Sequence, residues 1–167
     1  MKTIFVIRHA KSSWENAGLN DFDRPLNERG KRDAPRMGKR LKERSIHPDL
    51  MLTSPAKRAW STCKRIAETL GYPKGNIQTE QNLYHADEDE ILSVVQKIPE
   101  TVNNLMIFGH NPGLTDFVNS LSPKDNYIDN VPTCGVVSFK FNVKSWQEVN
   151  FQKGEFQFFD FPKNKVN

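Results

Sequence analysis

The chain has 167 residues, 37% hydrophobic and 26% charged, which is enough apolar material for one compact domain and too little length for two. We therefore expect residues 1–167 to form a single domain. The longest apolar runs, residues 4–7 and 105–108, are far shorter than a membrane span of about 20 residues or an export signal of about 7 to 15. The sequence predicts no membrane segment, and a cytoplasmic location is expected.

The formal net charge is +4 and is unevenly distributed. Residues 1–65 hold 16 of the 24 Lys and Arg residues but only 7 of the 20 Asp and Glu residues. Such a basic part is typical of a chain that faces phosphate or nucleic acid, and a solvated basic helix face explains it equally well.

The two cysteines, Cys63 and Cys134, form neither a disulfide framework nor a zinc-ligand pattern. Neither begins a Cys-x5-Arg phosphate loop, because Thr69 and Lys140 stand six positions later. The pattern excludes phosphatases that use a thiolate nucleophile, and it agrees with a reducing cytoplasm.

Short apolar blocks without alternation predict strands that are covered on both faces. They are residues 3–7, 49–53 and 105–108. After Cys134 the chain alternates as strands do, and residues 136–141 and 148–159 predict an antiparallel edge with the turn near residues 144–147.

Helices are predicted between and after these strands, from apolar residues at helical spacing and from capping residues. They are residues 27–45, a segment from Ser54 to Gly71, residues 87–98 and residues 114–121. Pro35 is expected to kink the first helix or to begin its regular part. Ser54 is the predicted N-cap of the second, with Pro55 at its first position. Acidic residues at 87–90 suit the positive end of the third helix dipole.

Strands and helices therefore alternate from residue 3 to about residue 121. This order predicts an α/β fold with a central, mostly parallel sheet, helices on both faces and an antiparallel edge near the C-terminus. In such sheets, ligands bind beyond the carboxyl ends of the strands. That edge is where we expect the site.

Two histidines and two arginines are placed at this edge by the predicted strands. Arg8 and His9 follow the first strand, Arg58 comes shortly after the second, and His110 follows the strand at 105–108. A neutral imidazole can attack phosphorus to form a phosphohistidine. Guanidinium groups match phosphoryl oxygens with paired donors, and a second, protonated histidine would add one more. Helix N-termini after Ser54 and Asn111 would add positive potential. This chemistry needs no metal, because the cationic side chains replace it.

The ordered set of motifs resembles the histidine phosphatase superfamily, in its phosphoglycerate-mutase-like branch. The motifs are Arg8-His9-Ala10, Ser54-Pro55-x-x-Arg58-Ala59 and Gly109-His110-Asn111-Pro112. The Arg8-His9-Ala10-Lys11-Ser12-Ser13-Trp14 opening and the Asp23-Arg24-Pro25-Leu26-Asn27-Glu28-Arg29-Gly30 segment are most similar to its small SixA group, the phosphohistidine phosphatases.

This resemblance implies a three-layer αβα sandwich and a role for each matching residue. His9 would be the nucleophile that becomes phosphorylated, and Arg8, Arg58 and His110 would surround the phosphoryl group. Ser12 matches a hydroxyl position that lines the same pocket. No cofactor or metal is implied.

The larger enzymes of the family place a glutamate near the third strand as proton donor to an alcohol leaving group. The comparable stretch here, Asn82-Leu83-Tyr84-His85, contains no carboxylate. His85 or Glu80 remains as a candidate donor. Because a protonated phosphoimidazole leaves more readily than an alkoxide, the missing acid favours a phosphohistidine substrate in a protein partner such as a phosphorelay domain.

Two other interpretations remain at the level of sequence. One is a broad small-molecule phosphomonoesterase, which would hydrolyse small phosphate esters and would need His85 or Glu80 as proton donor. The other is a non-catalytic phosphate-recognition module. The basic residues of the first helix would suit an acidic protein or nucleic acid, but the absence of interleaved aromatic residues argues against single-stranded nucleic acid, and no nucleic-acid partner is expected. These basic residues of the first helix are Lys31, Arg32, Arg36, Lys39, Arg40 and Lys42.

Overall fold

Six β-strands form one sheet in this computed structural model, which describes residues 1–122 and 126–165. The strands are β1 (Lys2–Arg8), β2 (Leu50–Thr53), β3 (Gln78–Thr79), β4 (Asn104–Gly109), β5 (Val136–Phe141) and β6 (Glu155–Asp160). Their order across the sheet is β3-β2-β4-β1-β5-β6. Strands β3, β2, β4 and β1 are parallel neighbours, whereas β5 is antiparallel to both β1 and β6. The predicted mostly parallel sheet with an antiparallel C-terminal edge is confirmed.

In the part of the chain that the structure describes, four α-helices cover the two faces of the sheet. They are α1 (Glu28–Glu43), α2 (Lys57–Leu70), α3 (Glu88–Gln96) and α4 (Gly113–Leu121). Side chains of α1 and α2 share one buried cluster with Phe5 and Ile7 of β1. Side chains of α3 and α4 share the other with Ile4 and Val6. Because successive residues of a strand point to opposite faces, the unbroken apolar block of β1 supplies both clusters, and the three-layer sandwich is confirmed.

Helix α1 is continuous through Pro35, which neither begins it nor ends it. The buried residues on either side of the proline, Ala34 and Met37, belong to the core and hold the helix against the sheet. The side chain of Asn27 caps the helix by accepting a hydrogen bond from Gly30 N at 2.8 Å. A Cβ atom at Gly30 would lie 2.2 Å from the carbonyl oxygen of Lys11, so only glycine lets α1 approach the segment after β1 this closely.

The signals predicted at two other helix ends are confirmed. Helix α2 ends at Gly71, whose φ of +74° is the left-handed conformation that glycine adopts readily. Helix α3 begins with a capping box in which Asp87 and Glu90 each accept a hydrogen bond from the other's backbone N–H.

The C-terminal strand starts later than predicted, at Glu155 rather than at Glu148. The preceding Trp146–Glu148 segment is a 3-10 turn that buries Trp146, and the indole N–H donates to the carbonyl of Val102 at 2.7 Å. This turn packs against α3, and the ring joins the same buried cluster, so the chain returns to the sheet only at β6. Strand β6 then forms the edge of the sheet, and its phenylalanines pack on the core as predicted.

Arg40 is tied to the C-terminal segment and is not a free surface charge. Its guanidinium forms an ion pair with Asp160 at 3.2 Å and also donates to the carbonyls of Phe161, Pro162 and Asn164. This role differs from the docking role expected for the basic face of α1. No helix among the described residues is long and apolar enough to cross a membrane.

Candidate active site

The carboxyl ends of β1, β2 and β4 are adjacent because these strands are neighbours in the sheet. Arg8 ends β1 and is followed by His9, and His110 follows the end of β4. The two imidazole ring centroids lie 5.1 Å apart. Arg58, in the first turn of α2, is close enough for its charge to depress the pKa of both histidines. The structure thus brings together the four residues that the sequence placed at this edge.

His9 is buried, and its ring is held in one tautomer. Its Nδ1 lies 2.7 Å from the carbonyl oxygen of Ala10, and because a carbonyl only accepts, Nδ1 carries the hydrogen. Burial lowers the pKa of His9 to about 3, and the charges of Arg58 and Arg8 act in the same direction. At neutral pH the ring is therefore uncharged, with a lone pair on Nε2.

Arg8 and Arg58 place two positive charges near the His9 ring, since both lower its pKa. Burial and the charge of Arg58 lower the pKa of Arg8 below its ordinary value. Arg8 Nη1 donates to the carbonyl of Val131 at 3.1 Å, while its buried Nε has no hydrogen-bond partner among the described residues. Two crowded guanidinium groups with an unused buried donor fit an anion such as a phosphoryl group.

His110 is held by Ser54, which corrects the predicted N-cap of α2. The helix begins at Lys57 with Ala56 as its N-cap, and Ser54 Oγ lies 2.8 Å from His110 Nε2. Ser54 is also buried and accepts from Ala56 N at 3.2 Å, so its hydroxyl organises the turn before the helix and orients the imidazole. In the sequence, a serine before a proline looks the same whether its hydroxyl caps a helix or contacts a histidine.

His110 is neutral in this structure, whereas a protonated second histidine was predicted from the sequence. Burial, followed by the neighbouring His9 and Arg58, lowers its pKa to about 3. Its buried Nδ1 has no hydrogen-bond partner in the part of the chain that the structure describes. A phosphoryl dianion beside this ring would raise its pKa, because an opposite charge favours the protonated form.

Asp21 is a residue of this site that the sequence analysis missed. Its backbone carbonyl accepts from Arg58 Nη1 at 2.7 Å, and its Oδ2 accepts from Arg58 Nη2 at 3.0 Å. Its Oδ1 pairs with Arg24 at 2.9 Å, and Tyr84 Oη donates to Oδ2 at 2.7 Å. Burial would raise the pKa of the Asp21 carboxyl, but the hydrogen bonds from Tyr84 and Arg58 outweigh it and hold that pKa below its usual range.

Arg24 connects Asp21 to the loop after β1. Its guanidinium is buried, is hydrogen-bonded to the hydroxyl of Ser12 and lies 3.3 Å from the ring centre of Trp14. The predicted pocket residue Ser12 is thus engaged by Arg24. Arg24 lies in the segment that resembles the SixA group, whereas nothing in the sequence singled out Asp21, two positions before that segment.

Thr62 is a further contributor that the sequence did not indicate. Its buried Oγ1 accepts from Ala10 N at 2.9 Å and donates to the carbonyl of Arg58 at 2.7 Å. One hydroxyl on α2 therefore joins the backbone beside His9 to the backbone of Arg58. This bridge fixes the nucleophile candidate relative to the charge beside it.

The two candidates for a proton donor lie in different surroundings. The exposed ring of His85 stacks on Tyr84 with centroids 3.9 Å apart, and its Nε2 lies 3.8 Å from Asp21 Oδ2. Glu80 accepts a hydrogen bond from Asn82 N at 2.9 Å and lines a separate cavity beside α3. His85 is therefore the candidate that contacts residues of the site.

The arrangement offers a neutral nitrogen nucleophile beside two guanidinium groups and a second imidazole. This set can accept a phosphoryl group and spread the negative charge of its oxygens. In residues 1–122 and 126–165, no three His, Cys, Asp or Glu side chains are grouped as metal ligands.

Comparison with known proteins agrees with this geometry. The sequence model of the histidine phosphatase superfamily (branch 1) matches residues 4–92, more than half of the chain. An uncharacterised protein of Mycobacterium tuberculosis is 30% identical over 139 residues, which is 78% of this chain and 84% of that protein.

Solved structures of two related proteins share the whole fold. The protein histidine phosphatase SixA complexed with tungstate superposes with a TM-score of 0.81 at 22% identity, over 96% of this chain and 97% of that one. A candidate phosphohistidine phosphatase SixA from Agrobacterium tumefaciens gives a TM-score of 0.78 at 25% identity, over 96% and 98%. The chain therefore belongs to the histidine phosphatase superfamily (branch 1), and it is a phosphatase with the fold of the SixA proteins.

Proposed function

We propose that residues 1–167 act as one domain that hydrolyses phosphohistidine in a protein partner through a covalent intermediate on His9, without a metal. The observation that carries this proposal is the neutral His9, whose Nδ1–H is fixed on the Ala10 carbonyl so that Nε2 keeps its lone pair. In this proposal Arg8, Arg58 and His110 bind the phosphoryl oxygens, which is supported by the His110 ring centroid at 5.1 Å from that of His9 and by the charges of both arginines acting on His9.

In the first step, His9 Nε2 attacks phosphorus while the phosphorus–nitrogen bond of the substrate breaks. The electron pair of that bond goes to the substrate imidazole, which leaves as a neutral ring because its other nitrogen is protonated. His9 keeps the hydrogen on Nδ1, and its phosphorylated ring is cationic. The carbonyl of Ala10 stabilises this cation through the hydrogen bond that it already accepts.

Arg8, Arg58 and His110 stabilise the negative oxygens as this transfer proceeds. Donors that are positioned before the reaction lower its barrier because they need no reorganisation. Asp21 holds Arg58 with a carbonyl and a carboxylate oxygen, and Ser54 holds His110. The hydroxyl of Ser12, which accepts a hydrogen bond from Arg24, lines the same pocket in this proposal.

In the second step, water attacks phosphorus and the bond to His9 Nε2 breaks. The electron pair returns to the ring, inorganic phosphate leaves, and the protons of the water go to phosphate and solvent. Because Nδ1 has stayed protonated, His9 leaves as a neutral imidazole and is ready for another cycle. No separate acid is needed in either step when the substrate is a protonated phosphohistidine.

The surroundings of the site support a phosphohistidine substrate over a phosphate ester. Among the described residues, the one acidic side chain hydrogen-bonded to Arg58 is Asp21, whose pKa is below its usual range, so it does not donate a proton at neutral pH. Without an acid, an alkoxide leaves slowly. The structural relatives include a protein histidine phosphatase complexed with tungstate, a tetrahedral oxyanion like phosphate.

A small-molecule phosphomonoesterase is the second candidate, and His85 is the observation that favours it. This exposed imidazole lies at the edge of the site, 3.8 Å from Asp21. If it protonates an alcohol leaving group, esters become substrates, and replacing His85 with Gln will slow ester hydrolysis but leave phosphohistidine hydrolysis unaffected.

The proposal is tested by phosphate release from a histidine-phosphorylated phosphorelay domain and from a panel of sugar and nucleotide phosphates. Wild type, His9→Ala and His47→Ala are compared, since the exposed His47 precedes β2 at the other edge of the sheet and serves as a matched control. The expected result is rapid release from the phosphoprotein alone, abolished in His9→Ala and retained in His47→Ala.

A second measurement traps the intermediate. Rapid quenching of wild type with the 32P-labelled phosphoprotein should yield a labelled enzyme whose label is stable to base and labile to acid. Full activity of His9→Ala contradicts the mechanism. Faster turnover of an ester than of the phosphoprotein replaces the proposed substrate with that ester.

A further inference from the structure

A groove opens beside the active site, between the loop that carries Asp21 and the first half of α2. Its volume is about 420 Å³. Three apolar side chains and three lysines line it, namely Phe22, Pro55, Trp60, Lys57, Lys64 and Lys74. Phe22 and Trp60 are half-buried, so each leaves part of its ring accessible to another molecule.

The three lysines of this groove are exposed and make no ion pair with any described residue. Lys74 Nζ lies 5.8 Å from the ring centre of Trp60, and the Lys74 side chain is exposed to solvent. Asp23 is the one acidic residue of the lining. The groove therefore presents an apolar surface under a net positive charge.

The groove is continuous with the catalytic residues along three segments of chain. Phe22 follows Asp21, which binds Arg58, and its ring packs edge-on against Tyr84 at a centroid distance of 5.2 Å. Lys57 directly precedes Arg58. Pro55 directly follows Ser54, which contacts His110. A chain that presents a phosphoryl group to His9 can therefore extend directly into the groove.

We propose that this groove binds an acidic segment of the phosphorylated protein, with an apolar side chain of that segment against Phe22 and Trp60. The inference rests on the proposed function and names the part of the substrate that is recognised beyond the phosphohistidine. Complementary charge raises the rate of encounter and selects partners, and the apolar contact adds affinity.

The basic face of α1 is less suited to this role. Its Lys31 and Arg36 pair with Glu28 and Asp33, and Arg40 is bound to the C-terminal segment. This face therefore supplies a matched control of equal charge, Lys31→Gln/Lys39→Gln/Lys42→Gln. The test variant is Lys57→Gln/Lys64→Gln/Lys74→Gln.

The experiment uses two synthetic peptides that carry one phosphohistidine each and free phosphohistidine as a third substrate. One peptide contains Asp, Glu and a single Leu beside the phosphohistidine, and the other replaces the acids with Asn and Gln. For wild type, kcat/KM on the acidic peptide should exceed that on the neutral peptide and should fall as salt is added.

In the groove variant, we expect the ratio of kcat/KM for the acidic peptide to that for free phosphohistidine to fall about tenfold, mainly through KM. The α1 variant should keep the wild-type ratio. Trp60→Ala should lower the ratio for both peptides, because both contain the leucine.

The outcomes separate this inference from the proposed function. If wild type hydrolyses free phosphohistidine and both peptides equally well, or if the α1 variant loses the preference, the groove proposal is wrong and the phosphatase proposal stands. If no phosphohistidine substrate is hydrolysed, the proposed function itself fails. The third outcome concerns nucleic acid. If wild type shows no preference between the peptides but binds a fluorescent single-stranded oligonucleotide, and only the groove variant loses that binding, the groove binds nucleic acid and the proposal is wrong.

Discussion

Asp21 binds Arg58 through both its backbone and its side chain, with hydrogen bonds of 2.7 and 3.0 Å. The two residues are 37 positions apart, and Asp21 begins a short 3-10 turn while Arg58 lies in the first turn of α2. A carboxylate that holds an arginine in this way fixes the position of the guanidinium and offsets its repulsion by the neighbouring Arg24 and Arg8. Asp21 is a positioning residue, since it acts through Arg58.

Replacing Asp21 with Asn should lower kcat more than it raises KM. We expect a loss of roughly tenfold in kcat on free phosphohistidine, smaller than the roughly 100-fold or greater cost of removing a preorganised donor outright. Asp21→Glu should recover part of the loss because it restores the charge. Steady-state kinetics of both variants against Asp89→Asn, an exposed acid of α3, checks this. An unchanged kcat in Asp21→Asn would show that Arg58 needs no such support.

Replacing Ser54 with Ala should affect both stability and activity, because it leaves the buried His110 Nε2 without its partner. Leaving a buried polar atom unsatisfied costs about 1–3 kcal/mol. We expect the free energy of unfolding in urea to fall by that amount and kcat to fall with it. Ser93→Ala, at an exposed position of α3, is the control. A Ser54→Ala enzyme with wild-type stability and kcat would refute the orienting role.

The buried histidines should make the protein less stable in mild acid. Burial lowers the pKa of His9 and of His110 to about 3, whereas the ordinary value is 6.5. Between these values, the unfolded chain binds protons that the folded protein does not bind, so the free energy of unfolding falls as the pH drops from about 6.5 toward 3. Urea unfolding at pH 7.5 and pH 5 measures the decrease.

The control for this decrease is the double variant His9→Gln/His110→Gln, which should lose most of it. The carboxyl pKa of Asp21 lies below its usual range, so that group contributes only at lower pH and does not confuse the comparison. The same decrease in wild type and double variant would assign the effect to other groups.

Replacing Gly30 with Ala should destabilise the protein. The new Cβ would lie 2.2 Å from the carbonyl oxygen of Lys11, so the loop after His9 would have to move. Overpacking of this kind typically costs about 1–3 kcal/mol. The matched control is Gly75→Ala, whose Cβ would have no atom within 4 Å. Urea unfolding of the two variants measures the difference, and equal stabilities would contradict the close approach of α1 to Lys11.

Much of the fold was predictable because its signals are local in the chain. The apolar blocks of β1, β2 and β4, the acids at the start of α3 and the glycine after α2 act within one element. The late start of β6 was not predictable, since it depends on where Trp146 is buried. The turn that carries Trp146 packs against α3, and its indole N–H donates to the carbonyl of Val102, both far from it in the chain.

The sequence by itself determined the four helices and all the strands except the short β3, and it placed Arg8, His9, Arg58 and His110 at one edge of the sheet because parallel strands end at the same edge. Only the tertiary structure decided which residues hold them. Ser54 lies 56 positions from His110, and its place before a proline indicates an N-cap as readily as a histidine partner. The contact of Asp21 with Arg58 depends on how the segment before α1 folds over α2. Hydrogen bonds between such distant segments leave no periodic pattern in the chain, so the sequence does not reveal them.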